Sequence, residues 1–341
     1  MKRDNRVQWF RELLEATKGM EHQAVDLMAQ IKIEESQFQS IRAAAKRYIS
    51  SCLGVSDAAT EEAGVVRPPL AAAATEGAGV APLPLAATAT SEEALLARLE
   101  NHVGQLANRT PNGELLPKQE FEAEFNAFHK AVAAWLKGLG VDHLIHQVSC
   151  PVAIRIVKGT SDSKLEQRPY SSSKLHVDLW NGDPADNINV LIPLWGDVER
   201  TTVEFFKPPD DFEEHFLRMI GDYGEARTLI DQCQLYPMRF RLGYAHFIDA
   251  VVPHRTVKRG GTLRVSIQLQ LRRKTTPEAQ AHAEAICDRD RLQRYYLASE
   301  DWYALGIEKY LKFSDTYADA KRGIFMKNPY RDAMYQIVEA L

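Results

Sequence analysis

The chain has 341 residues, 45% hydrophobic and 26% charged, with a formal net charge of −4. That balance belongs to a globular protein able to bury a substantial core without staples, and it gives no general drive toward nucleic acid or an anionic membrane. The four cysteines lie far apart with no CxxC pair, which fits neither a zinc ribbon nor a disulfide framework and suits free thiols in a reducing compartment. No apolar run approaches the roughly 18–20 residues of a membrane span, and MKRDNRVQWFREL lacks the apolar core of a signal peptide. A cytoplasmic location is expected.

Residues 5–52 read as helix, because Val7, Phe10, Leu14, Leu27, Ile31, Phe38, Ile41 and Tyr48 recur at roughly helical spacing, with Gly19 interrupting the run. Residues 65–91 are rich in Ala, Pro, Thr and Gly, without an aromatic residue, and read as a flexible surface linker or insertion. Ser91 then opens a helix over 91–108 as its N-cap, with Glu92 and Glu93 at the positive end of the dipole. A further helix is predicted over 117–140, with the stripe Phe121, Phe125, Phe128, Val132 and Trp135 and an end at Gly138 or Gly140.

From about residue 145 the period falls to two. Strands are predicted over 150–159, 173–182, 187–196, 201–209, 238–249 (bent at Gly243), 251–261 and 262–273. A helical insert over 210–232 could act as a lid or cover a sheet edge. After Pro277 the pattern returns to helix as far as Leu341. Short strands between Gly, Pro and Asp punctuation predict an antiparallel sandwich or barrel. The expected organisation is a helical N-terminal region over 1–145, a β-core over 146–273 and a helical C-terminal region over 274–341. The aromatic run Tyr295, Tyr296, Trp302, Tyr303, Tyr310 and Phe313 would pack on the barrel or on a second subunit.

The chemistry starts in SSSKLHVDLWNGD, residues 171–183. On a strand, His176 and Asp178 point to one face and Leu175, Val177 and Leu179 to the other. Two Lewis bases at one spot suit a metal. A core histidine hydrogen-bonded to Asp178 is the competing reading. In the last strand Leu263, Val265, Ile267, Leu269 and Leu271 occupy one face, and Thr262, Arg264, Ser266, Gln268 and Gln270 the other, which a solvated face would also explain. Ten residues before Arg264 stands His254, in VVPHRT.

His176-x-Asp178, then His254 78 residues after His176, then Arg264-x-Ser266 resembles the Fe(II)/2-oxoglutarate-dependent dioxygenase superfamily over roughly 150–272, and within it the phytanoyl-CoA hydroxylase-like branch. NINVLIPLWG and TTVEFFKPP also resemble the family's middle strands. The resemblance implies a mainly β core, a double-stranded β-helix (a cupin-like jelly roll) flanked by N- and C-terminal helices. It implies Fe(II) on His176, Asp178 and His254, with three coordination positions left open, and 2-oxoglutarate and O2 as cosubstrates. Arg264 would grip the distal carboxylate of 2-oxoglutarate with its planar fork, and Ser266 would add a hydroxyl. The implied reaction is hydroxylation of an unactivated C–H of a small molecule, or a related desaturation or cyclisation, with release of succinate and CO2. Family members that halogenate carry a small residue where Asp178 stands here. The alternative is a cupin-type metal-binding protein or isomerase using the same triad without 2-oxoglutarate.

Strand parity adds further candidates. Asn189 and Thr256 would face the cosubstrate; Arg155, Tyr170, Trp180 and Asn181 would face the substrate. Asn189 could equally be a polar residue at the edge of the core, and Arg155 an exposed cross-strand charge. His246 rivals His254 as the distal ligand, but stands eighteen residues before Arg264 and reads as a strand residue lining the barrel or its rim. His143 and His146 form a helix-spaced pair that either binds metal or caps the start of the first strand. No basic groove or aromatic stacking series points to nucleic acid. The expected partners are a small-molecule substrate, no membrane, and a second copy through the C-terminal helices.

Overall fold

The computed structural model describes residues 3–54, 91–106, 108–209, 217–289, 292, 295–313 and 335–339. The Ala/Pro-rich stretch over 65–91 therefore lies outside the described residues except for Ser91, as does the start of the insert, 210–216.

Helices α1 (Arg3–Ala16) and α2 (Glu35–Cys52) form where the apolar spacing places them. Between them the helical reading is corrected. β1 (His22–Val25) and β2 (Met28–Lys32) make an antiparallel hairpin that turns through Asp26 at φ 42°. Met28 to Ile31 are all buried, and a strand covered on both faces shows no alternation to betray it. α3 (Glu92–His102) starts at Ser91, whose hydroxyl accepts from the Ala94 N–H at 3.2 Å. α4 (Glu122–Gly138) packs on α2, with Tyr48 edge-on to Phe125 at 5.2 Å.

The remaining strands are β3 (Glu114–Leu115), β4 (Ile145–Ser149), β5 (Ala153–Val157), β6 (Asn187–Gly196), β7 (Thr201–Lys207), β8 (Gln234–Leu235), β9 (Tyr244–Asp249), β10 (His254–Lys258), β11 (Arg264–Arg273), β12 (Tyr296–Ala298), β13 (Lys309–Phe313) and β14 (Tyr335–Glu339). A large sheet runs β1-β2-β9-β6-β11-β4-β12, with β5 also on β11 and β3 on β5. A small sheet runs β10-β7-β8, and β13 pairs with β14. These pairings are antiparallel. No described helix is long and apolar enough to cross a membrane.

Two further expectations are corrected. The described part of 274–341 holds helices Pro277–Ala285 and Ser299–Ala304, but also β12, β13 and β14. In β13 Leu311 and Phe313 are buried while Tyr310 and Lys312 are exposed, a period of two. The aromatic run packs within the chain: Trp302 donates to the Ser149 carbonyl at 2.9 Å, and Phe313 lies edge-on to Phe125 at 5.1 Å. The insert over 217–232 is no long helix; it holds a 3-10 turn, Tyr223–Ala226, and one helical turn, Arg227–Ile230.

Strand parity decides what each face of the large sheet meets. Val265, Ile267, Leu269 and Leu271 of β11 share one face, as do Ile188, Val190, Ile192 and Leu194 of β6, and all are buried. Phe247 of β9 meets Trp135 of α4 at 6.4 Å, so this side is roofed by helix. The other face turns to the small sheet, where His246 of β9 stacks on Phe205 of β7 at 6.2 Å. Arg264 and Ser266 of β11 and Asn189 of β6 project into this second space. A bulge between Val265 and Ser266 lets Gly196 oppose Arg264. Gly196 has φ 90°, and a Cβ there would lie 2.0 Å from the Leu263 carbonyl oxygen. Only glycine permits that approach.

One end of the sheet is tied by a buried ion network. Asp249 pairs with Arg6 of α1 at 2.5 Å and with Arg273 of β11 at 2.8 Å. Arg272 grips Asp186 with two nitrogens at 3.1 and 2.9 Å and reaches Glu284 at 3.1 Å. Removing one partner strands a buried charge, which costs about 3–5 kcal/mol. Asp249→Ala is therefore expected to lose that much unfolding free energy in urea melts, while an exposed-pair variant such as Glu15→Ala keeps the wild-type urea midpoint.

Candidate metal centre

His254 opens β10 and is bridged to His176 by two backbone hydrogen bonds. The His176 N–H donates to the His254 carbonyl at 3.0 Å, and the His254 N–H donates back at 2.8 Å. This isolated bridge is all the strand character the segment has, which corrects the strand expected over 173–182. The chain turns at once into a 3-10 helix, Asp178–Asn181, closed by Gly182 at φ 95°. Val177 between His176 and Asp178 is extended, so Asp178 stays on the His176 side as strand alternation predicts, and the turn begins only at Asp178.

Both imidazoles are held the same way. His176 Nδ1 is 2.7 Å from the Lys174 carbonyl and His254 Nδ1 is 3.1 Å from the Val252 carbonyl, each two residues back. A carbonyl can only accept, so each Nδ1 carries a proton, and Nε2 is the nitrogen of each ring turned toward Asp178 and free to ligate in the neutral tautomer. His176 Nε2 stands 3.7 Å from Asp178 Oδ1, and His254 Nε2 stands 3.7 Å from Asp178 Oδ2. The three ligand atoms lie within 4.8 Å of one another. The 3.7 Å gaps are too long for hydrogen bonds. They match donors sharing one ion through bonds of roughly 2 Å. Two imidazoles and a carboxylate are a donor set that divalent transition metals accept, non-haem iron among them.

Electrostatics favour the ligating forms. Burial, with the neighbouring His254, pushes the His176 pKa down to about 3. Burial alone would raise Asp178, but His254, His176, Arg155 and a hydrogen bond from the Asn189 amide outweigh it and hold the carboxylate ionised. Sequence reasoning missed Tyr223. It stacks on the His176 ring at 4.4 Å and 14°. Its segment is pinned by Lys174–Asp222 at 2.7 Å, by Tyr170 donating to the Ile220 carbonyl at 2.8 Å and by the Tyr223 N–H donating to the Pro169 carbonyl at 3.1 Å. A single aromatic residue in an irregular insert carries no periodic signal.

Arg264 is 2% exposed. One guanidinium nitrogen donates to the Thr201 carbonyl at 3.1 Å, and the group lies over the Phe240 ring at 5.0 Å. Burial lowers its pKa to about 9, so it stays cationic at neutral pH. No carboxylate pairs with it among the described residues, and its Nε is buried without a partner. Ser266 is buried two residues on, and Arg155 of β5 lies directly opposite Ser266. Thr256 follows His254 by two residues on β10, and its N–H donates to the Ser172 carbonyl at 2.7 Å.

The other candidates divide. Trp180 is buried, Tyr170 half-buried and Asn181 exposed. The rival His246 stands outside the cluster, its ring nitrogens 3.2 Å from the Leu191 carbonyl, 3.3 Å from the Arg239 carbonyl and 3.0 Å from the Gln30 amide. His143 is exposed, and His146 contacts Gln280 at 2.9 Å. Among the described residues, no second group of three metal-ligating side chains comes together.

No protein-family model and no curated protein matches the chain. Solved structures similar to it include a non-heme alpha ketoglutarate dependent carbocyclase, SnoK, from nogalamycin biosynthesis, at 12% identity over 77% of this chain and 83% of that one, TM-score 0.39. AviO1 from Streptomyces viridochromogenes Tue57 is 14% identical over 81% and 97%, TM-score 0.33. An N-substituted L-amino acid dioxygenase from Burkholderia ambifaria AMMD is 9% identical over 74% and 84%, TM-score 0.34.

Tyr223→Leu is expected to weaken divalent-metal affinity about tenfold, the cost of losing a group that orients a ligand, as read by anaerobic titration calorimetry. His246 sets an acid limit on stability. Burial holds its folded-state pKa at about 4, beneath the ~6.5 of an exposed imidazole. The unfolded chain therefore takes up this proton first as pH falls. The contribution is complete above about pH 6.5 and is lost on descent toward 4, amounting to about 3 kcal/mol. Urea midpoints should show that slope, and His246→Gln should flatten it.

Proposed function

We propose that the chain is an Fe(II)- and 2-oxoglutarate-dependent dioxygenase of double-stranded β-helix fold that hydroxylates an unactivated C–H of a small molecule. The sheet order supports the fold. β5-β11-β6-β9 faces β10-β7-β8, and the His176 segment bridges the free edge of β10. That gives two facing antiparallel sheets of four, the make-up of a jelly roll.

One observation carries the function. A two-histidine, one-carboxylate cluster and an unpaired buried guanidinium share the same interior space. The cluster alone would suit any cupin-type metal protein. A buried cation without a counter-ion is expensive, and Arg264 therefore argues for an anionic ligand that arrives from outside.

In this reading His176 and His254 hold the ion through Nε2, and their Nδ1 protons on backbone carbonyls fix the tautomer that makes this possible. Asp178 supplies the third bond, and the Asn189 amide keeps its carboxylate from swinging. Bound iron would supply oxygen activation, coupling loss of CO2 from 2-oxoglutarate to oxidation of the substrate. Arg264 pairs with the distal carboxylate, and the Ser266 hydroxyl donates to it. Phe240 and the aliphatic wall keep water from that pair, which strengthens it. Tyr223 and the segment around it exclude solvent over His176.

The test is succinate release from 2-oxoglutarate with added Fe(II) and O2. Asp178→Ala should abolish it. Arg264→Met should raise the KM for 2-oxoglutarate at least about 100-fold, the scale of a lost charge-assisted pair of roughly 3 kcal/mol, while circular dichroism stays native. A cupin-type isomerase would leave 2-oxoglutarate untouched whatever metal was added, and that result would retire the proposal.

A further inference from the structure

The charges around the metal cluster do not close, and the surplus sits on one residue. A divalent ion, the Asp178 carboxylate, a doubly charged 2-oxoglutarate and the Arg264 guanidinium cancel. Arg155 is left over; the carboxylate nearest it in register, Glu114 of β3, lies directly opposite but makes no ion pair with it. Arg155 lies on β5 opposite Ser266, and directly opposed residues of an antiparallel pair project from the same face. Ser266 and Arg264 share that face, and Arg264 reaches from it to the Thr201 carbonyl on the small sheet. Arg155 therefore projects into the space between the sheets and not outward as a cross-strand surface charge.

Its field reaches both the Asp178 carboxylate and the Arg264 guanidinium. Its Nε is buried with no hydrogen-bond partner, and no carboxylate of the described residues pairs with it. Unlike Arg264 it is half-buried, so part of the guanidinium remains open to a molecule entering after the cosubstrate. Elsewhere in the core the fully buried guanidiniums of Arg6, Arg272 and Arg273 all have carboxylate partners.

We infer that Arg155 is the anchor for a carboxylate on the substrate, so that the oxidised molecule is a small carboxylic acid held by a bidentate pair beside the metal. The inference rests on the iron and 2-oxoglutarate reading for its charge balance. Carboxylate is the group that the planar guanidinium fork matches with two parallel hydrogen bonds.

The experiment uses the full chain loaded with Mn(II), with and without saturating 2-oxoglutarate. Propanoate, hexanoate, phenylacetate and N-acetylglycine are each compared with their primary amides by calorimetry and by thermal shift. With 2-oxoglutarate present, at least one acid should bind the wild type ten or more times more tightly than its amide. Arg155→Gln should erase that ratio, and Arg155→Lys, which keeps the cation but not the fork, should retain part of it. Equal binding of every acid and its amide to the wild type overturns the inference, as does an R155Q variant that keeps the preference. A matching loss of 2-oxoglutarate affinity in R155Q also overturns it, because Arg155 would then serve the cosubstrate. Failure of the underlying reading looks different: 2-oxoglutarate itself would not bind the wild type, while the acid-over-amide ratio at Arg155 persisted.

Discussion

Two backbone hydrogen bonds between His176 and His254, at 3.0 and 2.8 Å, govern this molecule. They join segments 78 residues apart in the chain and set the two imidazoles 4.5 Å apart, centroid to centroid. Once that bridge forms, each Nδ1 meets the carbonyl two residues behind it and each Nε2 is left facing Asp178. Neither tautomer nor ring angle is then free. The large sheet, the helices against it and the ion network at its end serve to hold β10 where this pairing can occur. The bridge also explains why the His176 segment needs no continuous strand: one residue of pairing places the first imidazole, and one extended residue, Val177, places the carboxylate.

The treatment of arginine shows which parts of the core are structural and which await a ligand. Arg6, Arg272 and Arg273 are as buried as Arg264, yet each has an internal carboxylate. Asp186 and Asp249, two of the three carboxylates that serve them, are themselves enclosed. Such a closed set locks helix to sheet and has no use for an outside molecule. Arg264 and Arg155 have no carboxylate partner among the described residues, and each keeps a buried Nε without a hydrogen bond. Stability would be served better by leucine at either position, since a buried ion rarely offsets its own desolvation. That they are arginine despite the cost argues that the cost is recovered on binding.

The β-core was legible because its strands are one-sided. In β11 and β6 apolar residues alternate with Arg264, Ser266 and Asn189, so period, face and even the inward residues could be read. The proposed metal ligands were legible as a spaced motif, and the extended Val177 keeps His176 and Asp178 on one side as alternation suggested, but the chain leaves the strand at Asp178 sooner than its pattern implied. Elsewhere the signal failed for definable reasons. β2 is covered on both faces, so Leu27 and Ile31 fell into helical spacing with the residues around them. β13 is short, and its aromatic residues fit either period. Tyr223 sits in an irregular segment, where a contact with His176 leaves no imprint on the chain around it.

The same contrast suggests how the site divides its labour. The residues proposed to hold the ion and the cosubstrate lie on regular strands or are hydrogen-bonded directly to them, and a packed sheet restrains them to fractions of an ångström. Tyr170, Trp180 and Tyr223, by contrast, lie on turns and on the insert. Turns and inserts accept substitution more readily than strands roofed by helix. A lineage could therefore change what is oxidised by rebuilding those segments while His176, Asp178, His254 and Arg264 stay as they are. Arg155 falls on the fixed side of that boundary, on a strand paired along its length with β11. If it anchors the substrate, the anchored group is the part of the substrate least free to vary, and the insert selects among molecules that already carry it.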